Sequence, residues 1–337
     1  MILDRIRGQD SALKQLGADM FSGRVGGAYL FSGPSGVGKR TTAIWFAKLL
    51  NCSAQKELRP CGVCSSCRRM ARGNHPNLRL IEPDRGLFRI DQVRGIQREL
   101  SYQRFEGNWR VHVLIDADRL TQPAANALLK TLEEPPERTS VVVTTSNEVA
   151  LLPTVISRCR VVRFNWLHPG VIVQILEMLT GGSSEEIAVA SRLAQGSAGR
   201  GFALVMDKKM LGERSDIVTA LESENGSLEA VFQMSQRWAD RPDDVEIRLD
   251  ILSWFLRDLL VLKSAAEISI VNTDLRGKLE RVAERFSFSG LCRGISAIEE
   301  AHGQIRSGVS RRVVLEAMWL AIFFPDLSLP AFDYSTF

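Results

Sequence analysis

The sequence predicts an α/β fold, with a parallel sheet in three layers, followed by an all-helical region. Short apolar strands alternate with helical patterns up to about residue 165, which is typical of a parallel sheet covered on both faces. No convincing strand pattern occurs from about Lys208 onward. Apolar residues there recur at helical spacing instead, for example over 244–263 and 309–324.

The composition of this 337-residue chain indicates a globular protein with room for two or three domains. No run of 18 apolar residues occurs, so we expect no membrane span. The first residues lack the apolar core and cleavage site of a signal peptide, which makes the cytoplasm the expected location. The formal net charge of +4 is compatible with contact to a polyanion but does not by itself identify a nucleic-acid-binding protein.

A glycine-rich turn follows the first predicted strand, 27–31, and precedes a helical pattern over 40–50. Strand, turn and helix form the usual setting of a phosphate-binding loop, whose backbone N–H groups and helix N-terminus contact phosphate oxygens. The lysine of such a loop reaches the β and γ phosphates. The residues predicted to bind the phosphates are Gly33, Gly36, Gly38, Lys39 and Thr41.

The Mg²⁺-binding part of the same site departs from the usual pattern. A hydroxyl should follow the lysine directly, but Arg40 stands there and Thr41 comes one residue later. The predicted strand 111–116 ends in Asp116, which could help to hold Mg²⁺ or could simply cap the strand end. Ala117 follows, where a glutamate would orient the attacking water. We therefore expect weak binding of ATP or ADP, no normal Mg²⁺ site and negligible ATP turnover.

Four of the six cysteines lie close together, and their spacing predicts a metal site rather than disulfides. Thiolates in the pattern C-x8-C-x2-C-x2-C can surround one Zn²⁺ tetrahedrally, with the first at a helix end and the others on a tight loop. An iron–sulfur cluster is the alternative, although no Cys-Pro follows as it does in ferredoxins. The insert holds arginines but no carboxylate–histidine pair, which favours a structural site. The predicted ligands are Cys52, Cys61, Cys64 and Cys67.

Several later segments complete the pattern of a known family. They are Gly73-Asn-His-Pro76, Ile115-Asp-Ala-Asp-Arg119, the run from Asn126 to Pro136, and Ser157-Arg-Cys159. Together with the phosphate loop and the four cysteines, these segments resemble bacterial clamp-loader subunits of the AAA+ class. The similarity is dense over residues 1–206, and the run from Asn126 with the later Ser-Arg-Cys is its most specific part.

The resemblance implies three domains and a role in DNA replication. The domains are an ATPase-like α/β domain over 1–165 with a zinc-binding insert at 52–67, a helical lid over 166–207 with glycine breaks at 181–182 and 196–201, and a helical collar over 208–337. The collar would join a cytoplasmic hetero-oligomer with gamma/tau and delta subunits. That complex loads the sliding clamp onto primed DNA for the DNA polymerase III holoenzyme.

Two kinds of subunit in this family are candidates, an ATP-hydrolysing gamma/tau motor and a delta-prime stator that need not hydrolyse ATP. Arg40, Ala117 and Gly199, which aligns with the sensor-2 arginine, favour the stator. The resemblance also implies that Arg158 is an arginine finger that acts in trans on a neighbour's ATP, with a plain surface arginine as the alternative. A zinc-dependent nucleic-acid-binding module is a third hypothesis.

Overall fold

The computed structural model describes residues 6–84, 86–102, 109–206, 208–222, 227–241, 245–264 and 270–324. The chain divides into two compact units, Met1–Ala203 and Leu204–Phe337. The three domains expected from the sequence, 1–165, 166–207 and 208–337, stay a prediction. No helix in the described part of the chain is both long and apolar enough to cross a membrane.

The first unit contains a parallel sheet, as the sequence predicted. Its strands are β1 Gly27–Ser32, β2 Leu78–Ile81, β3 Arg110–Leu114, β4 Thr139–Thr145 and β5 Cys159–Arg163. They lie side by side in the order β2-β3-β4-β1-β5, and every neighbouring pair is parallel. The helices that accompany this sheet are α1 Asp10–Phe21, α2 Lys39–Asn51, α3 Ser65–Ala71, α4 Ile90–Tyr102, α5 Gln122–Glu133 and α6 Pro153–Ile156.

Alternating strand side chains fill two cores, one on each face of the sheet. Tyr29 and Phe31 lie in one core with side chains of α1 and α2, whereas Ala28 and Leu30 lie in the other with side chains of α4, α5 and α6. Successive side chains of a strand point to opposite faces, so a strand covered on both sides must be apolar throughout. The result is the three-layer α/β arrangement that the sequence predicted.

Three short helices follow the sheet, and they are α7 Pro169–Leu179, α8 Ser184–Leu193 and α9 Ala198–Met206. The start of α8 is fixed by a capping box, in which Ser183 accepts from the Glu186 backbone N–H and the Glu186 carboxylate accepts from that of Ser183. Helix α9 starts at Ala198, so Gly199 and Gly201 lie inside a helix and not in the break that the glycine run predicted. The next subsection gives the packing reason.

The second unit is helical throughout its described residues, as the sequence predicted. Its helices are α10 Lys208–Glu222, α11 Leu228–Ala239, α12 Val245–Lys263, α13 Arg276–Arg285, α14 Phe288–Arg306 and α15 Arg311–Phe323. Aromatic side chains join α11 to α15, with the ring centroids of Trp238 and Trp319 5.2 Å apart in an edge-to-face arrangement.

Helix α12 is buried more widely than its predicted apolar stripe. The stripe residues Ile251 and Phe255 are buried, but so are Arg248 and Asp258. The Asp258 carboxylate accepts hydrogen bonds from the backbone N–H groups of residues 271 and 272 at 2.9 and 2.8 Å. Burial of a polar group costs little free energy when the group is hydrogen-bonded. Polar residues can therefore lie in a core, and an apolar sequence pattern does not identify them.

Candidate functional site

The predicted phosphate loop connects the end of β1 to the start of α2. Gly33 and Gly36 have φ angles of 150° and 72°, which residues with a Cβ rarely adopt. A Cβ on Gly33 would also lie 2.2 Å from the carbonyl oxygen of Phe164. Lys39 is buried, and its Nζ donates to the carbonyl oxygens of Gly33 and Pro34 at 2.6 Å each. An ammonium has three donors, so one is left for a phosphate oxygen.

The charge on Lys39 is balanced by nearby carboxylates. Burial lowers the pKa of Lys39, while the charges of Asp116 and Asp118 oppose this shift. Asp116 borders the same cavity as the loop. The lysine therefore lies close to both the glycine-rich backbone and an acidic side chain, and its contact with phosphate stays a prediction.

Arg40 and Thr41 do not supply the usual metal-binding hydroxyl. The Arg40 guanidinium pairs with Glu82 at 2.8 Å, and both side chains are 55% exposed. Thr41 is exposed one position further along α2. The loop therefore has donors for phosphate, but its residue after the lysine is a cation engaged with a carboxylate.

The strand before Asp116 is shorter than predicted. β3 ends at Leu114, and Asp116 has a φ of 57°, in the left-handed region that aspartate tolerates better than most residues. Its backbone N–H donates to Thr144 Oγ1 at 3.1 Å. This turn sends the side chain of Ala117 into the core on the α4–α6 face, where Ala117 is fully buried. A glutamate at 117 would therefore enter apolar surroundings and could not orient water in the cavity.

The first turn of α9 lies directly on the phosphate loop. The backbone N–H of Gly199 donates to the carbonyl oxygen of Gly36 at 2.9 Å, so Gly36 satisfies one of the N–H groups left free at a helix start. A Cβ on Gly199 would lie 3.0 Å from the Cα of Gly36, and a Cβ on Gly36 would lie 2.2 Å from Ser197 Oγ. Two glycines are thus required for this contact, which explains why a glycine run continues into the helix.

A cavity of about 500 Å³ opens beside the loop and Asp116. Apolar side chains also line this cavity, and they are Ile6, Leu167, Ile175, Leu179 and Phe202. A site with phosphate donors at one end and an apolar wall suits a ligand with an anionic part and an apolar part, and its volume lies in the range of small-molecule sites.

The side chain of Gln9 connects the phosphate loop to the segment after β5, and the sequence analysis did not identify this residue. Its buried side chain donates from Nε2 to the carbonyl oxygens of Val37 and Asn165 at 3.3 and 2.8 Å, and its Oε1 accepts from the Asn165 backbone N–H. Because these partners lie 28 and 156 residues away in the sequence, no local pattern marks Gln9. Asp118 plays a similar part, since its carboxylate accepts from Thr145 Oγ1 at 2.9 Å.

The four predicted metal ligands come together beside the end of α2. Their Sγ atoms all lie within 4.8 Å of one another, and those of Cys52 and Cys64 are 4.0 Å apart. Zn–S bonds of about 2.3 Å in a tetrahedron place the sulfurs about 3.8 Å apart, so small shifts would suffice to bind the ion. Cys64 caps α3 and Cys67 lies within it. The last ligand is therefore on a helix, not on the tight loop that was predicted.

Backbone N–H groups surround the sulfurs of this cluster. The N–H of Cys61 donates to Cys52 Sγ at 3.3 Å, that of Cys64 to Cys61 Sγ at 3.4 Å, and that of Cys67 to Cys64 Sγ at 3.4 Å. Burial opposes a charge on Cys64, but hydrogen bonds from Ser53 and Cys67 outweigh it and lower the pKa of Cys64 to about 6. Donors arranged in this way favour the thiolate of Cys64, the form that binds a metal, whereas burial raises the pKa of Cys67.

Arg158 lies apart from the chain's own phosphate loop. It directly precedes β5, and Cys159 pairs with Ala28 near the start of β1, whereas the loop follows the end of β1. At about 3.3 Å per residue, the length of these strands separates the two sites by roughly 13 Å or more. The guanidinium pairs with Glu133 at the end of α5 and donates to the Thr154 carbonyl at 3.0 Å.

Two family models match the chain, and both describe a DNA polymerase III delta subunit. The first, "DNA polymerase III, delta subunit", matches residues 8–168. The second describes the C-terminal part of a DNA polymerase III delta subunit and matches residues 208–322. Together they span most of both compact units.

Individual relatives carry related names. A protein named DNA polymerase III subunit delta' from Bacillus subtilis is 28% identical over 320 residues, which cover 93% of this chain and 96% of the relative. A DNA polymerase III subunit gamma/tau from Mycobacterium tuberculosis is 28% identical over 357 residues, covering 95% of this chain but only 61% of the relative. A solved structure of a gamma-subunit-related protein from Thermotoga maritima covers 92% of this chain and 98% of its own, with a TM-score of 0.45 and 18% identity, which is a remote likeness.

Proposed function

The chain belongs to the DNA polymerase III delta-subunit family, and we propose that it acts as a delta-prime-type stator in a bacterial clamp loader. In this role it joins gamma/tau and delta subunits in a cytoplasmic hetero-oligomer. It helps that complex to load the sliding clamp onto primer-template DNA. Its own nucleotide site is degenerate, and it supplies Arg158 to the ATP site of a neighbour.

The observation that carries this proposal is the environment of Ala117. Its side chain is fully buried in an apolar core, so the position that should orient water does not face the nucleotide cavity. Loss of a positioned general base typically costs roughly 100- to 10,000-fold in rate. Arg40, paired with Glu82, removes the Mg²⁺-binding hydroxyl as well. A gamma/tau-type motor, which is the alternative, would need substitutes for both groups.

The phosphate loop retains enough donors for weak nucleotide binding. Gly33, Gly36 and Gly38 keep their positive φ angles, and Lys39 keeps one donor for a phosphate oxygen. Asp116 and Thr41 border the same cavity. We assign to this site weak binding of ATP or ADP that depends little on Mg²⁺.

The four thiols suit a structural Zn²⁺. The donor set is all sulfur, and all four side chains are at least partly buried in one cluster, which leaves no position for a substrate. We therefore propose that Cys52, Cys61, Cys64 and Cys67 hold one Zn²⁺ that stabilises the insert.

Arg158 supports a role in trans because of its position. It lies at the end of the strands opposite to the chain's own phosphate loop, a position that favours contact with a phosphate of another molecule over one in its own loop. A guanidinium offsets the charge that develops as a γ-phosphate leaves, and it binds phosphate oxygens in a forked geometry. In the free chain Glu133 keeps this group in place.

The proposal is tested by mixing the purified chain with gamma and delta subunits. Light scattering during size-exclusion chromatography measures the mass of the complex, and phosphate release measures ATP turnover with and without primed DNA. We expect the chain to enter one complex with both subunits, and the complex to hydrolyse ATP in response to DNA. The isolated chain should show no turnover above background.

Two outcomes would contradict the stator. One is ATP turnover of roughly one per second or faster by the isolated chain, which is an ordinary enzyme rate. The other is a chain that stays monomeric in the presence of both partners while those partners assemble with each other.

A further inference from the structure

Helix α3 and the residue that follows it carry three arginines on one exposed face. Arg68, Arg69 and Arg72 are separated by one, three and four positions, which places them together on a helix surface. The opposite face is fixed, because Met70 is buried in the core beside the sheet and Cys67 is buried in the thiol cluster. The orientation of the arginine face is therefore set by the fold and not by the arginines themselves.

In the described part of the chain, no negative charge balances this face. Among the described residues, none of these three guanidinium groups forms an ion pair or a side-chain hydrogen bond. The stretch from residue 52 to residue 77, which includes the insert and α3, contains one acidic residue, Glu57. Some exposed arginines of the first unit are paired, as Arg79 is with Glu99 and Arg163 is with Glu148. The basic face differs from these charge-paired positions.

The three neighbouring arginines repel one another, and no contact within the described part of the chain offsets this loss of stability. Like charges four positions apart on a helix destabilise it by about 0.2–0.5 kcal/mol. A basic side chain near a helix C-terminus is favourable, which accounts for one arginine at the end of this seven-residue helix but not for three, the C-cap residue included. A polyanionic partner would turn the repulsion into binding energy.

We propose that the face of α3 formed by Arg68, Arg69 and Arg72 binds the phosphate backbone of nucleic acid. An arginine guanidinium can form two parallel hydrogen bonds with phosphate oxygens. The three positions extend over about 6 Å along the helix axis, so they can contact successive phosphates of one strand. An acidic protein fits less well, because protein interfaces have an apolar centre. This face offers none, since Ser65 is the remaining residue of the stripe. The inference is independent of the role of Arg158 and of the nucleotide site.

The test uses the full chain and a short fluorescein-labelled DNA duplex, with affinity measured by anisotropy from about 50 to about 200 mM salt. Each phosphate contact contributes about −0.9 to the slope of log affinity against log salt. The triple change Arg68→Ala, Arg69→Ala and Arg72→Ala should make the slope less steep by about 3. It should also lower affinity at low salt by roughly tenfold or more.

Two further variants make the result specific. Changing the same three arginines to lysine keeps their charge and should keep most of the salt slope. The matched control is Arg276→Ala, Arg281→Ala and Arg312→Ala, which removes three exposed arginines that are paired with glutamates. It should leave the slope unchanged. Metal content and circular dichroism of each variant check that the insert is intact.

The proposal fails if the alanine triple variant, with its metal retained, has the slope and affinity of the unchanged chain. It also fails if the control variant loses as much binding as the α3 variant, because net charge alone would then explain the effect. Absence of duplex binding by the unchanged chain at low salt would overturn it too, and would leave an acidic protein as the partner of this face.

Discussion

At the scale of single residues, burial decides which changes the proposed nucleotide site can accept. Ala117 is fully buried beside side chains of α4 and α5, although the sequence places it where a catalytic glutamate would stand. A carboxylate in apolar surroundings must be neutralised or must disrupt the packing. The turn after Asp116 directs position 117 into the core. A glutamate introduced there by one substitution therefore cannot act as the catalytic glutamate.

Ala117→Glu should destabilise the protein by about 3 kcal/mol or more, because it buries an unpaired charge. Even with Arg40→Thr, the double variant should gain no ATP turnover. Urea unfolding and phosphate release measure the two effects. The control Ala150→Glu makes the same change at an exposed turn residue and should lie within about 0.5 kcal/mol of the unchanged chain. ATP hydrolysis by the double variant would show that position 117 does face the cavity.

His112 is a buried titratable group in β3. It is 5% exposed, and its Nδ1 has no hydrogen-bond partner among the described residues. Burial lowers the pKa of His112 from 6.5 to about 4, and the charges of Arg110 and Arg79 add to this effect. The neutral imidazole is thus the form that the fold accepts.

The pH dependence of stability follows from that shift. The unfolded chain takes up a proton on this histidine below about pH 6.5, whereas the folded chain does so only near pH 4. The free energy of unfolding should therefore be independent of His112 above pH 6.5 and should fall toward pH 4, by up to about 3 kcal/mol. Urea unfolding of the unchanged chain and of His112→Gln measures the difference. Parallel pH profiles for the two proteins would contradict the assignment.

At the scale of elements, the cysteine insert depends on two attachments. Cys52 follows the last residue of α2, and Met70 of α3 lies in the core on that side of the sheet. The tight loop between them has few apolar contacts of its own, since Leu58 and Val63 are exposed. The thiol cluster therefore supplies the main link that orders residues 52–67.

Metal analysis should find about one zinc per chain, as expected for four thiolate ligands. Removal of the metal by a strong chelator, or the change Cys67→Ser, should make residues 52–67 sensitive to proteases while the sheet remains folded. The exposed cysteine changed in Cys292→Ser is the matched control and should leave metal content unchanged. Iron with visible absorption would instead indicate the iron–sulfur alternative, and a chain purified without metal would contradict both.

At the scale of the whole molecule, the proposed role depends on a neighbouring subunit. The residue after the loop lysine, Arg40, is paired with Glu82, and Arg158 lies at the opposite end of the strands. Both features are consistent with the proposal that the chain contributes to another ATP site more than to its own. The second, helical unit carries exposed apolar side chains on several of its helices, including Leu228, Phe232 and Phe288, which suits association with partners.

Arg158→Ala should leave assembly of the complex intact but lower clamp loading and the neighbour's share of ATP turnover. Arginine fingers supplied in trans contribute roughly 1,000- to 100,000-fold at the best-studied sites. The control is Arg163→Ala, which removes an exposed arginine at the far end of β5 that is paired with Glu148. Steady-state ATPase and clamp-loading assays on the reconstituted complex provide the readout. If the complex with Arg158→Ala keeps wild-type clamp loading and ATP turnover, the role in trans is wrong and Arg158 is only a surface arginine.

The sequence by itself determined the fold class, the glycine-rich loop and the grouping of four cysteines. Each of these rests on local information, since strand and helix periodicity, glycine conformational freedom and ligand spacing are all written in short stretches of chain. The stretch around Lys39 and the cluster from Cys52 to Cys67 illustrate this, because their partners lie within a few residues or one helix of each other.

Only the tertiary structure decided the features that join distant stretches. Gln9 contacts Asn165, Gly199 lies on Gly36, and Ala117 points into a core, and none of these follows from the neighbouring residues. The same holds for the end of β3 before Asp116. Side-chain direction after a strand depends on one or two backbone dihedrals, and the packing of the whole sheet sets these angles. Local patterns therefore reveal which groups are present, and only the packed fold determines which way they face.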